Sequence, residues 1–190
     1  MTAALPGADG LERCPWGNST VDYAAYHDEE WGVPLRGEHA LYERLSLEAF
    51  QSGLSWLTIL RKREGFREAF KKFDPKEVAK FADADVERLM NDVAIVRNRA
   101  KIEATIRNAR AIADLDVSLD DLLWSFAPDP AERPRPVFTS DVPAITPESK
   151  AMAKELKRRG FAFVGPTTAY AMMQATGMVD DHLASCWRAD

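Results

Sequence analysis

Apolar residues recur at helical spacing along most of the chain. Leu41, Leu45, Leu47 and Phe50 follow Gly37 in this rhythm, and Leu57 and Leu60 continue it after Trp56. Asp74 before Pro75 reads as a helix start, a capping side chain followed by a proline that needs no amide, running on through Val78, Ala79 and Phe81. Asp85 reads as the cap of another helix, with Val86, Leu89 and Met90 facing inward. Ile95, Ile102, Ile106, Ala109 and Ile112 form one apolar stripe. No run alternates as a half-buried strand does, so the pattern predicts an all-α fold. The rhythm breaks from Ala127 to Pro147, where Pro128, Pro130, Pro134, Pro136, Pro143 and Pro147 remove backbone donors. That stretch predicts an ordered loop lying over a surface. No internal repeat or low-complexity tract is present.

Composition adds little to this and excludes several classes. A 190-residue chain that is 46% hydrophobic and 29% charged can fill one core, and is neither disordered nor fibrous. Its apolar runs are too short for a membrane span. Residues 1–11 lack the basic and apolar segments of a secretory signal and read as a flexible leader, leaving 12–190 as a single domain. The expected location is cytoplasmic. The net charge of -5 argues weakly against a nucleic-acid partner, yet the basic residues cluster. Lys150, Lys154, Lys157, Arg158 and Arg159 stand against Glu155 alone, and Arg97, Arg99, Lys101, Arg107 and Arg110 against Glu103. Solvated helix faces explain such clusters, and so does a phosphate backbone.

Three places carry candidate chemistry. Cys14 and His27 lie near one end and His182 and Cys186 near the other. Two thiolates and two imidazoles make a complete tetrahedral set for a structural zinc that would tie the two ends together. The four-residue step from His182 to Cys186 places both on one face if that stretch is helical. A Cys14–Cys186 disulfide, or two buried free cysteines beside unrelated histidines, fits the same residues. His39 has no such neighbour and reads as a surface residue.

The second place is Glu48, an acid within an apolar helix. It precedes the turn Gln51-Ser-Gly-Leu54 and shares the region with Trp16, Tyr23, Tyr26, Trp31 and Trp56, three of the chain's five tryptophans among them. Rings around a carboxylate suit a flat cationic base, which they stack on while the acid accepts its N–H groups. An aromatic core with Glu48 escaping to solvent is the other reading. The third place is Leu156-Lys-Arg-Arg-Gly160-Phe-Ala-Phe-Val-Gly165-Pro-Thr-Thr-Ala-Tyr170, which reads as helix, tight turn, helix. Its glycines permit turn dihedrals and close backbone approach, and Pro166 opens a helix whose first amides can face a phosphate. An ordinary αα-hairpin has the same outline.

Together these stretches resemble the DNA-3-methyladenine glycosylase I family of the helix-hairpin-helix superfamily. The likeness is carried by Arg13-Cys-Pro-Trp16, Tyr26-His-Asp-Glu-Glu-Trp-Gly-Val-Pro34, Leu47-Glu-Ala-Phe-Gln-Ser-Gly-Leu-Ser-Trp56, Arg159-Gly-Phe-Ala-Phe-Val-Gly-Pro166 and Asp181-His-Leu-Ala-Ser-Cys186. It runs from about Glu12 to Trp187. The resemblance implies a helix-hairpin-helix glycosylase fold with its hairpin near 154–176, and one structural zinc on Cys14, His27, His182 and Cys186. It makes Glu48 the pocket acid, with Tyr26 and Trp56 holding the base and Trp16, Tyr23 and Trp31 lining the pocket.

The same resemblance puts Gly53 and Leu54 in the gap left by the extruded nucleotide, with Gly160, Gly165 and Thr167 at the DNA backbone. It implies a monomeric, monofunctional enzyme that excises 3-methyladenine from double-stranded DNA and leaves an abasic site, with the free base as product. Asp181 could assist catalysis or orient His182. Two departures are visible: Ala49 stands where the family has glycine, and the leader has no counterpart. A non-catalytic, zinc-stabilised DNA-binding module would keep the hairpin and the metal but would not need Glu48 among rings. A zinc hydrolase would need an open metal position, which four ligands deny.

Overall fold

The computed structural model describes residues 2–189. Its helices are α1 (Val21–Glu29), α2 (Glu38–Gln51), α3 (Trp56–Ala69), α4 (Pro75–Val78), α5 (Asp83–Met90), α6 (Arg99–Ala113), α7 (Leu119–Trp124), α8 (Pro147–Arg158) and α9 (Pro166–Ala175). None of them is long and apolar enough to cross a membrane. Side-chain oxygens of Thr20, Ser55, Asp74, Asn98, Ser118 and Thr146 accept amides in the first turns of α1, α3, α4, α6, α7 and α8. Each such cap is worth about 1 kcal/mol.

The Asp74–Pro75 start is where the sequence puts it, although α4 ends at Val78 and Phe81 lies beyond it. Asp85 is not a cap. It stands two residues inside α5 and its carboxylate reaches back to the Ala82 amide, 3.1 Å away. The stripe from Ile95 becomes helical only at Arg99, and its later members Ile102, Ile106, Ala109 and Ile112 are all buried.

The central element is α2, which packs against α3, α6, α7 and α9. Leu41, Tyr42, Leu45, Leu47 and Phe50 on it are fully buried, each contributing about 1.5–3 kcal/mol by leaving water. Phe50, Phe66, Phe70 and Phe73 continue the core as a run of adjoining rings. The Pro-rich stretch forms a surface loop with two short 3-10 turns, Pro130–Glu132 and Thr139–Asp141.

Two features depart from the all-helical, loose-leader expectation. A two-residue strand β1 (Leu5–Pro6) pairs antiparallel with β2 (Glu12–Arg13), too short for a period of two to show in the sequence. The leader therefore has a definite course. The Thr139 amide donates to the Thr2 carbonyl at 3.0 Å, the Ala4 amide to Ser185 Oγ at 3.2 Å, and Arg13 pairs with both Asp9 and Asp28.

Helix α6 holds two loops at once. The Lys101 ammonium donates to the carbonyls of Phe50 and Ser52, closing the end of α2. Asn108 exchanges two hydrogen bonds with Ala162, at 2.8 and 3.1 Å, and Arg107 donates to the Gly160 carbonyl at 2.7 Å. Lys101 and Asn108 are seven residues apart, about two turns, and so share a face.

Candidate functional site

Three elements and the stretch after α1 bring the aromatic residues together. Trp16 lies in the 3-10 turn Pro15–Asn18, Tyr23 and Tyr26 on α1, Trp31 just past it, and Trp56 opens α3. The Trp16 ring is 5.6 Å from Tyr23, 6.1 Å from Tyr26 and 5.1 Å from Trp31, and Tyr26 is 5.3 Å from Trp56. The edge-on and tilted angles are those aromatic quadrupoles prefer. The Tyr23 hydroxyl accepts the Leu57 amide at 2.9 Å, which fixes α1 to the start of α3. Trp56 Nε1 is buried without a hydrogen-bond partner among the described residues. An orphaned buried donor is costly and calls for a missing acceptor.

Glu48 does not escape to solvent. It is 5% exposed, no hydrogen bond from the described residues reaches its carboxylate, and burial pushes its pKa up to about 7 against the opposing field of Arg44. Arg44, which the sequence reading passed over, is itself buried. It donates to the Tyr26 hydroxyl at 2.9 Å and to Glu30 at 3.1 Å, and lies 5.3 Å from the Tyr26 ring and 5.5 Å from Trp56. Arg63 from α3 holds the same Glu30. A signal for Arg44 existed, since it precedes Glu48 by one helical turn on the same face of α2. Glu30 answers the arginines, and Glu48 is left as the acid whose charge is least compensated.

Beside Trp16 and Trp31 sits a second buried cluster. The ligand atoms of Cys14, His27 and Cys186 lie within 4.8 Å of one another, and all three residues are buried. Both cysteines are free thiols. The hydrogen bond between them holds the Cys186 thiol low and the Cys14 thiol high. His27 Nδ1 is 2.8 Å from Asp28 and its Nε2 3.5 Å from Cys186 Sγ, whereas His182 Nδ1 is 2.7 Å from Asp180 and its Nε2 3.4 Å from the His27 carbonyl. His182 is buried with its ring 4.8 Å from that of His27, but its nitrogen lies outside the three-ligand group. Gly32, at φ +75°, makes room for it, because a Cβ there would stand 2.9 Å from the imidazole.

Two sequence expectations change here. Residues 182–186 are not helical, so the one-turn spacing that would set His182 and Cys186 on a common helix face does not apply. Asp181 does not orient His182. It is buried and accepts from Tyr170 at 2.5 Å, Gln174 at 2.9 Å and Arg133 at 2.9 Å. A cavity of about 300 Å³ opens beside it, walled by Cys14, Trp16, Trp31, Thr139, Val142, Gln174, Asp181 and Leu183. Glu48, Tyr26 and Trp56 are not among its walls; Trp16 stands between.

The methyladenine glycosylase family model matches residues 16–189. DNA-3-methyladenine glycosylase 1 of Escherichia coli (strain K12) is 45% identical over 179 residues, covering 93% of this chain and 96% of that protein. The chain belongs to the methyladenine glycosylase family. Among solved structures, a crystal structure of 3-methyladenine DNA glycosylase I is similar at 44% identity and a TM-score of 0.87, over 92% of this chain and 98% of that one. A tyrosine-to-phenylalanine variant of 3-methyladenine DNA glycosylase I in complex with 3-methyladenine is 35% identical, also at a TM-score of 0.87, over 94% and 97% of the two chains.

The remaining predicted residues of this family member lie at two bends of the chain. Gly53, at φ +81°, and Leu54 form the exposed tip of the turn between α2 and α3. Gly160, Gly165 and Thr167 lie in and after the bend between α8 and α9, the helix–turn–helix outline predicted for that stretch. Gly160 needs its freedom, with φ at +94°. Gly165 does not: its φ is -84° and a Cβ there would meet no atom within 4 Å.

Proposed function

We infer that this protein is a DNA-3-methyladenine glycosylase that hydrolyses the N-glycosidic bond of the methylated nucleotide in duplex DNA and leaves an abasic site. The observation that carries the reading is Glu48, a buried carboxyl on the helix beneath the Tyr26–Trp56 ring pair, whose charge is offset only in part by the field of Arg44. Methylation at N3 makes the adenine cationic. Glu48 is the acceptor for its N–H groups, the rings stack on its face, and Trp56 Nε1 supplies a donor. The base leaves with the electron pair of the broken bond and departs neutral, so little acid catalysis is needed. Water adds to the sugar carbon and loses a proton. What the protein supplies is extrusion, recognition and a fit to the oxocarbenium-like transition state.

Cys14, His27, His182 and Cys186 are the proposed holders of one structural zinc. Two thiols and two imidazoles, each imidazole with Nδ1 tied to a carboxylate, suit such an ion and its supporting shell. The four together leave no place for a catalytic water. The DNA grip is assigned to the α8–α9 bend as a helix-hairpin-helix. No side chain caps α9, leaving its first amides for a phosphate. Lys150, Lys154 and Lys157 have no acidic partner within salt-bridge reach among the described residues and add positive charge to α8. Gly165 is small for a reason its dihedrals do not require, and close approach of a backbone supplies one. Gly53 and Leu54 fill the gap of the extruded nucleotide. A single copy of the chain, in the cytoplasm, suffices for this reading.

Single-turnover release of 3-methyladenine from methylated duplex tests the function. Release at a rate far above the spontaneous one supports it, whereas tight binding of the duplex with no release makes the protein a binding module. Gly165→Val tests the grip. The new Cβ meets no atom within 4 Å and the backbone there suits any residue, so the variant should fold normally. Its duplex affinity should fall about tenfold and free-base binding should stay intact. For both proteins affinity should drop steeply with salt, as phosphate contacts require. Equal loss of DNA and free-base binding would place the hairpin against the base pocket instead.

A further inference from the structure

Phe163 occupies a position that suits it poorly in two independent ways. Its backbone sits at φ +58°, in the left-handed region that β-carbon-bearing residues avoid, and its ring is 44% exposed. The neighbours Phe161 and Val164 turn into the core, so the loop had apolar anchors without it. The conformation is imposed from outside. Asn108 grips Ala162 through both its amide hydrogen and its carbonyl, and Arg107 grips the Gly160 carbonyl, so the bend holds its shape around the unfavourable residue. Glycine would fit the dihedral without strain, as it does at Gly160 in the same loop. A large ring kept there, in water, on the loop that also presents Gly165, needs a partner that the free protein lacks.

We propose that Phe163 is a DNA contact, its ring laid against the deoxyribose carbons beside the phosphate held by the hairpin amides. The inference rests on the DNA-glycosylase reading of the site. Duplex DNA is the fitting occupant because Phe163 stands two residues before Gly165 on the loop that follows α8, a helix whose Lys150, Lys154 and Lys157 lack acidic partners among the described residues. A phosphate backbone offers such a loop alternating charge and sugar, and apolar side chains are the usual complement of the sugar and base edges of the minor groove. The ring supplies apolar contact, while the amides and lysines supply the charge-dependent part. Phe163 is therefore a residue of affinity and register, outside the ring and carboxyl set proposed to hold the base.

The test compares wild type with Phe163→Gly and Phe163→Ala on an abasic-site duplex, measuring affinity against salt, melting temperature and free 3-methyladenine binding. Phe163→Gly removes ring and strain together and should melt no lower than wild type, while Phe163→Ala keeps the strained Cβ and should melt below Phe163→Gly. Both should lose about tenfold in duplex affinity, equivalent to about 1.4 kcal/mol. The salt dependence should keep its slope, since no phosphate contact is lost, and free-base binding should not move. Wild-type affinity in Phe163→Gly would overturn the proposal, as would an affinity loss that simply tracks melting temperature. Failure of the wild-type protein itself to bind the duplex or release base would instead refute the DNA reading on which it rests.

Discussion

Replacing Glu48 by glutamine should make the folded protein more stable above neutral pH and a far poorer base-releasing enzyme. Burial raises the Glu48 carboxyl from its ordinary 4.5 to about 7, so the folded state holds that proton more tightly than the unfolded chain does. The resulting stability is complete below pH 4.5 and is lost as pH rises through about 7. At about 1.4 kcal/mol per pH unit, ionising Glu48 in place costs the fold about 3 kcal/mol at pH 8. Glutamine removes that cost, and Arg44 keeps Glu30 and the Tyr26 hydroxyl as partners. Thermal melts at pH 6 and pH 8.5 should show wild type losing several degrees more than the variant over this interval.

Activity should move the other way. Wild-type release of 3-methyladenine should rise as Glu48 ionises through about pH 7, since the carboxylate meets the cationic base. The variant should lack that ionisation and run about ten- to a hundred-fold slower at high pH, for a lost charge-assisted bond of about 1.5–3 kcal/mol. Some rate should survive because the leaving group activates itself. A variant with unchanged stability and wild-type release at every pH would show Glu48 to be a bystander.

Removing the proposed metal should have the largest effect on the fold. The purified protein is expected to carry about one zinc per chain, and Cys14→Ala or a strong chelator should remove it and lower the melting temperature by more than about 10 °C. Metal binding in small zinc domains is worth about 10 kcal/mol or more. Here the helical core remains, so the loss should fall on the segments that the cluster joins, residues 2–31 and 182–189. Closing so long a loop also restrains the unfolded chain. His39, exposed and outside the cluster, is the control, and His39→Ala should leave metal content unchanged. Metal analysis alongside melting reads both. A metal-free protein with full thermal stability would remove zinc from the account.

What was legible in the sequence follows from which forces are local. The α6 stripe and the Asp74–Pro75 start depend on neighbours within a turn or two and could be read directly. The ring set and the two Cys/His pairs were visible as unusual concentrations, and the family resemblance joined them. Arg44 and Glu30 were not visible as a pair, because their partnership spans separate helices and includes Arg63 from a third. Adjacency leaves Asp181 open between assisting catalysis and orienting His182, and the turn geometry hands the second task to Asp180 and sends Asp181 to Tyr170, Gln174 and Arg133. A left-handed phenylalanine runs against steric preference, so only the tertiary grip of Asn108 could reveal Phe163. The β1–β2 pairing is two residues long and has no period to detect.

Because Lys101 and Asn108 hang two loops on one face of α6, the interval between the Leu54 tip and the hairpin is measured out in helical pitch. Inserting or deleting one residue between them would swing one anchor about 100° away from the other. Both loops could stay intact in such a chain, and the base pocket with them, while the pair lost its common gauge against the duplex. The stretch from 101 to 108 should thus tolerate exchanges of outward side chains and resist any change of length. If both loops meet DNA as proposed, their spacing is set through residues that need never touch DNA.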